Sequence, residues 1–400
     1  MKERIQLPTI EHCTGCQACR VACPKNAITM SENNKGNIYP VVNEALCINC
    51  NRCVTVCPEL SPLAFNKKQK QVYAIWVNNA KKRKYSTSGG ASYIMAKTII
   101  ERGGYFCGVT YNNGGAEHQI CNNIDELHCF QGSKYVHSDV KDVYKEIELL
   151  LKAYYEVLFT GTPCQIAALR SYLRKEYDRL YCVDIVCHGV PNSKVLGDRI
   201  RTIEQKHGKK IIDIRFRDKQ PDQHNTCMKY TFSDLSVYMC SEFEDPFFRS
   251  FDANYTLREN CFNCKYSRAE RCSDITIADF WGYAPQKLKF HSYRKGTSLM
   301  IINSEKGSRL FKEIKRFCTI DSSRDLGYAV KGNHNLKAPQ IRPHDYKQFW
   351  ERYLNGETLE KLQNDFYPPI KRKKISQIVK IKQFIALLLP NIIVNRLIKN

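Results

Sequence analysis

Residues 13–24 read Cys13-Thr14-Gly15-Cys16-Gln17-Ala18-Cys19-Arg20-Val21-Ala22-Cys23-Pro24, and residues 47–58 read Cys47-Ile48-Asn49-Cys50-Asn51-Arg52-Cys53-Val54-Thr55-Val56-Cys57-Pro58. Both follow C-x2-C-x2-C-x3-C-P. Thiolates at every third position of a tight loop can wrap one corner of an iron–sulfur cubane, with backbone N–H groups turned toward the sulfides to offset their charge. The fourth cysteine opens the following helix and points away, toward the other cluster. This assigns Cys13, Cys16, Cys19 and Cys57 to one [4Fe–4S] cluster, and Cys47, Cys50, Cys53 and Cys23 to a second. Pro24 and Pro58 suit a first helical turn, where a missing N–H costs little. Gly15 and Ala18 leave room for the inorganic core.

The doubled pattern is that of bacterial two-cluster ferredoxins, and it predicts a compact βαββαβ domain over residues 1–60. Structural zinc also favours C-x2-C pairs, but it closes on two well-separated pairs, unlike four cysteines packed into a single short run and repeated. The whole chain has 400 residues with 20 cysteines, 43% hydrophobic and 26% charged, a composition of globular domains rather than disorder. Its beginning lacks the apolar core of a secretory signal, so the thiols are expected in a reducing, cytoplasmic setting, as metal ligands rather than bridges. No apolar run is long enough to span a bilayer. With 62 Lys and Arg against 40 Asp and Glu the net charge is +22, so the protein is expected to meet anions.

Residues 61–71 read as a polar, proline-marked linker. Residues 72–77 (VYAIWV) read as a buried strand and Lys81 to Lys84 as a basic turn. Ser86-Thr87-Ser88-Gly89-Gly90 then opens an apolar-periodic helix over 91–100. Such a loop offers free N–H groups to a phosphate, or is a simple N-cap with a flexible turn. Residues 103–109 lead into a core strand. The strand 157–160 ends in Gly161-Thr162-Pro163-Cys164-Gln165 and a helix over 166–173, which puts the Cys164 sulfur at a helix N-terminus, where the dipole favours a thiolate. The strand 181–187 ends in Cys187-His188-Gly189-Val190-Pro191. Two strand ends carrying cysteine suit the carboxyl edge of an α/β sheet, where ligands bind. Cys261-Phe262-Asn263-Cys264 and Cys272 precede a strand over 274–281. With Cys164 and Cys187, these make five candidates for a four-ligand third site. The remaining cysteines, 107, 121, 129, 182, 227, 240 and 318, read as buried thiols. Neither G-x-G-x-x-G nor G-x-x-x-x-G-K-[ST] occurs, so an ordinary dinucleotide or Walker site is unsupported.

These segments carry a family likeness. Ser88-Gly89-Gly90, Gly132-Ser133-Lys134-Tyr135-Val136, Gly161-Thr162-Pro163-Cys164-Gln165, Cys187-His188-Gly189-Val190-Pro191, Phe216-Arg217-Asp218-Lys219, Cys261 to Cys264 with 274–282, and Gly296-Thr297-Ser298 occur in order. In this the chain resembles the coenzyme F420 hydrogenase/dehydrogenase beta-subunit family, in the form with an amino-terminal two-cluster ferredoxin domain. The resemblance implies an iron–sulfur flavoprotein that passes electrons between clusters and FAD to reduce or oxidise a small molecule: F420, or a substrate of the kind relatives beside polysaccharide genes would use. It implies Cys164, Cys187, Cys261 and Cys264 as ligands of a third [4Fe–4S] cluster, with Cys272 spare. It places Ser88, Gly89, Gly90, Lys134, Tyr135, Gly161, Thr162, Pro163 and Gln165 around FAD. The family-motif continuation after Lys219 is replaced here by Gln220-Pro221-Asp222-Gln223. His188 is the candidate proton donor, although on general grounds a core or capping histidine is the commoner role.

The fold expected is thus α+β: the ferredoxin domain (1–60), the linker (61–71), a mixed α/β flavin-binding domain in two parts (72–150 and 151–335), and a basic helical tail (336–400). In the last thirty residues Lys371, Arg372, Lys373, Lys374, Lys380, Lys382, Arg396 and Lys399 stand without any acid around an apolar run, 384–394, broken by Pro390. This suits contact with the inner face of a membrane, docking of a partner, or packing on the domain itself. The partner classes expected are a redox donor or acceptor protein, a small-molecule substrate and a second copy of the chain. A subunit that only transfers electrons to a separate catalytic partner is the alternative. A zinc-containing nucleic-acid binder would explain the charge, but no recognised nucleic-acid motif is present.

Overall fold

A computed structural model describes residues 5–66, 70–112, 115–219, 226–283 and 295–370. The N-terminal repeats each turn on two left-handed residues, Gly15 and Gln17 in the first and Asn49 and Asn51 in the second. Glycine and asparagine are the residue types that tolerate this conformation best. Each turn feeds a short helix, α1 (Ala18–Ala22) and α2 (Arg52–Thr55), and between them lies the hairpin β1 (Ile28–Glu32) and β2 (Ile38–Val42), antiparallel with Ile28 opposite Val42. The outer two strands of the expected βαββαβ unit are absent among the described residues. Pro8, Pro58 and Pro62 remove ladder donors there. The segment leaving the domain pairs elsewhere: Asn66 N–H donates to the Arg271 carbonyl at 2.9 Å.

Among the described residues the main sheet has nine strands. It is built from β3 (Gln71–Val77), β4 (Tyr105–Asn112), β5 (Gly115–Cys121), β6 (Ser138–Asp139), β7 (Val157–Gly161) and β8 (Leu180–Ile185), joined later in the chain by three more strands. Between them in sequence, β9 (Ile211–Asp218), β10 (Cys227–Phe232) and β11 (Val237–Ser241) form a separate antiparallel sheet. The main sheet is completed by β12 (Ile275–Asp279), β13 (Ser298–Ile302) and β14 (Cys318–Asp321), in the order β14-β3-β13-β12-β8-β7-β4-β5-β6. Its centre, β12, β8, β7 and β4, is parallel; β13, β3 and β14 run antiparallel on one side.

Helices cover both faces, as a parallel centre requires. After β3 come α3 (Ala80–Tyr85), where a basic turn was expected and Asn79 caps a helix, and α4 (Ala91–Glu101). Then follow α5 (Leu127–Phe130), α6 (Val143–Lys152), α7 (Pro163–Leu173), α8 (Ser193–His207), α9 (Pro246–Asp252), α10 (Glu305–Ile314), α11 (Leu326–Gly332), α12 (Tyr346–Leu354) and α13 (Leu359–Phe366). On one face α6 and α7 pack on Val157, Phe159 and Leu180, and Ala18, Ala22 and Val56 of the N-terminal region join that same core. On the other, α4 and α10 cover Ile75, Leu158, Val183 and Met300. A third core sits between the small sheet and α8, α9, α12 and α13, around Phe216, Tyr230, Phe247, Phe349 and Trp350.

Two expectations about connections change. Residues 61–66 are not a free linker: Leu63 and Phe65 pack into the α6/α7 core, and the Phe65 ring meets Tyr266 edge-on at 5.9 Å. Residues 346–366 are not tail: Phe349 is fully buried and Leu362 likewise, each contributing about 2–3 kcal/mol of apolar burial. The basic run from Lys371 to Asn400, and Gln220 to Gln223, lie outside the described residues. Among the described residues no helix is long and apolar enough to cross a membrane.

Candidate metal centres

The two N-terminal repeats close on two cavities of about 350 Å3 each. The inner one is lined by Cys13, Cys16, Cys19 and Cys57, with Thr14, Gly15, Gln17, Met30 and Pro40. The outer one is lined by Cys23, Cys47, Cys50 and Cys53, with Pro24, Ala27, Ile28, Val42 and Arg52. Each thus takes three cysteines from one repeat and the fourth from the other, and apolar side chains close the walls. No three or more His, Cys, Asp or Glu side chains among the described residues converge on a point able to hold a single metal ion. Four thiols around a cavity wall suit the corners of a cubane. As bare thiols these groups resist ionisation: burial pushes Cys16 up to about 12, and Cys13 and Cys57 upward as well. A thiolate is the ligand form, so the charge has to be met by a metal core.

The inner loop is fastened to the main domain. Gln17 Nε2 donates to Asp139 at 3.0 Å, the buried Tyr144 hydroxyl donates to the Cys16 carbonyl at 3.2 Å, and Arg258 Nη2 donates to the Cys13 carbonyl at 3.2 Å. Arg20 reaches the Lys141 carbonyl and Asp142. None of these anchors has a local sequence signal. Their partners lie more than a hundred positions away, and only the fold joins them.

A second group of sulfurs faces the inner loop from the main domain. Cys164 sits in the first turn of α7, where Thr162 and Gln165 form a reciprocal capping box: the Thr162 N–H donates to Gln165 Oε1 at 3.0 Å, and Thr162 Oγ1 lies 3.1 Å from Cys164 Sγ. Cys187 follows β8, and the Cys261 sulfur accepts from the Val190 N–H at 3.4 Å. Burial holds the Cys164 thiol far above its ordinary value, and the charges of Cys264, Cys187 and Cys16 push it the same way. Cys187 is raised by burial and then by Cys261 and Cys264, and burial brings Cys261 to about 12. Cys164, Cys187, Cys261 and Cys264 therefore share one neighbourhood. Cys272 shares the buried core of Cys164 and Cys264 but differs in its charged surroundings: burial pushes it to about 12, and Asp184, Arg170 and Cys182 are the groups that act on it. Of the cysteines read as buried thiols, 107, 121, 182 and 227 are buried and 240 and 318 half-buried, but Cys129 is exposed, on a short helix at the surface.

The residues expected around FAD are engaged within the protein. Gln165 spends both ends of its amide, on Thr162 and, through Nε2, on Ser138 Oγ at 3.0 Å. So Gly161, Thr162, Pro163 and Gln165 shape the turn that aims Cys164. Ser88 Oγ donates to the Thr297 carbonyl at 2.7 Å and Gly89 N–H to Ser298 Oγ at 2.9 Å. A Cβ at Gly89 would meet the Ile75 carbonyl at 2.3 Å, so the glycine permits a close passage across β3 and β13. The Lys134 ammonium donates to the carbonyls of Cys129 and Gln131, and burial lowers it to about 7. Tyr135 packs edge-on to the buried Phe248 and Phe251 at 5.3 and 5.2 Å, inside the core of the small sheet, and Arg217 lies over the half-exposed Trp281 at 5.2 Å while pairing with Asp279. His188, expected as a proton donor, has both ring nitrogens occupied, Nε2 by Asn254 Oδ1 at 2.9 Å and Nδ1 by Gln340 Nε2 at 3.1 Å. Burial lowers its pKa, so it is a neutral, fixed ring whose geometry gives no proton to a ligand.

Comparison with known proteins agrees with the sulfur pattern. Residues 12–60 match the 4Fe-4S dicluster domain. Residues 154–323 match the C terminus of the coenzyme F420 hydrogenase/dehydrogenase beta subunit. Residues 154–323 are that family's domain. A chain of the F420-reducing [NiFe] hydrogenase complex from Methanosarcina barkeri is similar at 13% identity and a TM-score of 0.45, over 72% of this chain and 94% of that one, a likeness too distant to speak to function. Among curated proteins there is no match. Together the two matches support an iron–sulfur electron-transfer protein with a region similar to the beta subunits of coenzyme F420 hydrogenase/dehydrogenase.

Proposed function

We propose that this chain is a redox relay in which three [4Fe–4S] clusters stand in series and serve FAD, reducing or oxidising a small molecule. The observation that carries it is the succession of sulfur sets: an outer cavity with the exposed Cys50, an inner cavity fastened to the main domain, and Cys164, Cys187, Cys261 and Cys264 beside it. Cys23, Cys47, Cys50 and Cys53 would hold the outer cluster, Cys13, Cys16, Cys19 and Cys57 the inner one, and the four main-domain cysteines the third. When bound, the clusters supply one-electron steps and the flavin the conversion to two-electron chemistry. The chain's own residues do the rest. The left-handed turns at Gly15, Gln17, Asn49 and Asn51 bend the loops around the cages. The Thr162–Gln165 box fixes Cys164, and buried walls exclude water, which strengthens every charge interaction inside.

Support for the flavin is of another kind: the family resemblance carried by the ordered motifs from Ser88 to Ser298. The internal engagement of Ser88, Lys134 and Gln165 favours a second reading, an electron-transfer subunit whose redox partner is a separate protein. Purification without oxygen followed by flavin extraction separates the two. One FAD per chain, reduced through the clusters when dithionite is added, supports the flavoenzyme. A protein full of iron but free of flavin, which still passes electrons to an added protein acceptor, supports the electron-transfer reading.

A further inference from the structure

One cation is buried where that relay has to pass. Arg258 is 1% exposed, sealed between the loop of the inner cavity and the turn that carries Cys261. Its Nη2 donates to the carbonyls of Cys13 at 3.2 Å and Ile38 at 3.1 Å, and its guanidinium lies 4.9 Å from the Tyr39 ring centre. On the other side, its own carbonyl accepts from the Cys261 N–H at 3.0 Å. Glycine is required opposite it: a Cβ at Gly15 would stand 2.8 Å from Nη2. Among the described residues no carboxylate pairs with Arg258, and its Nη1 has no hydrogen-bond partner. The adjacent Glu259 is already taken by Lys35 and Arg342. A buried guanidinium without a counter-ion is costly, because arginine cannot shed its proton. Its contacts are neutral, the carbonyls of Cys13 and Ile38, the Asn260 amide oxygen and the Tyr39 ring, and its charge opposes the effect of burial on the thiols of both Cys13 and Cys261.

We infer that Arg258 is the shared counter-charge of two clusters, the one on Cys13, Cys16, Cys19 and Cys57 and the one on Cys164, Cys187, Cys261 and Cys264. It is a positioning residue: it touches the backbone of one ligand loop, leads into the other, and raises the reduction potential of both. The inference rests on the relay reading above. In the step it serves, one electron leaves the inner cluster, which is oxidised by one, and enters the main-domain cluster, which is reduced by one. No bond forms and no proton moves. Adding an electron makes a cluster more negative, so a fixed positive charge nearby favours the reduced form of each. The outer cluster, away from Arg258, does not share this help.

The test is an EPR-monitored redox titration of the anaerobic full chain, with iron and acid-labile sulfide measured first, on the wild type, Arg258→Gln and Arg258→Lys. Arg258→Gln is expected to lower the reduced-to-oxidised ratio of two of the three clusters at least tenfold at a fixed potential, about 59 mV for a one-electron couple, leaving the third unchanged. Arg258→Lys, which keeps the charge, is expected to stay within threefold of wild type. An Arg258→Gln protein with full iron and unshifted potentials overturns the inference. Should Arg258→Gln hold no iron, Arg258→Lys decides: full loading with wild-type potentials supports the role, whereas shifted potentials or empty sites overturn it. A wild type without iron and sulfide would instead defeat the relay reading itself.

Discussion

The two cysteine loops are the same device in two settings. Their spacing matches residue for residue, and even the strained positions correspond, Gly15 with Asn49 and Gln17 with Asn51. Around the inner loop, Cys13, Cys16 and Cys57 are buried, Ala18 joins a core with Phe159 and Ala167, and Gln17, Tyr144 and Arg258 tie it to the main domain. Around the outer loop Cys50 is exposed, and Leu46 and Ile48 beside it are each 52% exposed. Spacing alone therefore settles what a loop can hold. The surroundings differ, and in the relay proposed above the exposed outer set would face a redox partner and the fastened inner set would pass electrons inward.

The sharpest way to break this contrast is to remove one ligand from each loop. Cys16→Ser is expected to cut electron passage from the outer cluster to the main domain at least 100-fold, about 2.7 kcal/mol in barrier. Cys50→Ser is expected to leave reduction of the inner and main-domain clusters by dithionite intact. Stopped-flow absorbance with iron analysis reads both, and equal losses from the two variants would erase the distinction. His118, fully buried beside Phe159 with Nε2 at 3.3 Å from the Thr160 carbonyl, is pushed by burial from 6.5 down to about 4. Between those values the unfolded chain binds a proton that the folded chain refuses. Stability is therefore present at neutral pH and is lost as pH falls from 6.5 toward 4, by about 3 kcal/mol. His118→Leu should reduce that dependence, measured as urea midpoints at pH 7 and pH 4.5, and leave the part due to His137, which burial lowers to about 3. A slope unchanged by the substitution would rule His118 out as its source.

Sequence and structure agree most where chemistry is local. The eight N-terminal cysteines could be grouped from spacing, because a loop of a dozen residues fixes its own geometry, and the strand ends at Cys164 and Cys187 follow from short apolar runs. Among the described residues the outer strands of the expected ferredoxin unit do not form: prolines at 8, 58 and 62 offer no ladder donors, and Asn66 pairs with Arg271. Among the five main-domain candidates, spacing could not decide. Cys272 packs in one core with Cys164 and Cys264 and is set apart only by the charges of Asp184, Arg170 and Cys182 around it. Gln165 was legible in another sense: Thr162-x-x-Gln165 is itself a capping-box signature, and that local role is the one the side chain takes up. Arg258 and Tyr144 carry no pattern, since their partners come from the far side of the fold.

Smaller effects sharpen the comparison further. Tyr144→Phe deletes the donor to the Cys16 carbonyl and leaves a buried acceptor unpaired, so a loss of about 1 kcal/mol is expected. Thermal unfolding of the anaerobic holoprotein reads it, and no change would show that the anchor is idle. Smallest of all, Cys272→Ser should leave iron per chain at the wild-type level, whereas Cys187→Ser should lower it by about one cubane. The reverse outcome would exchange the two cysteines in the third site.

The central claim, that these sulfur sets hold iron–sulfur cubanes, meets its most direct test in Mössbauer spectroscopy of 57Fe-grown, anaerobically purified wild-type protein, quantified against acid-labile sulfide. About twelve iron atoms per chain, all with [4Fe–4S] parameters and matched by sulfide, is the expected result. Stoichiometric zinc, or iron without sulfide, would contradict it.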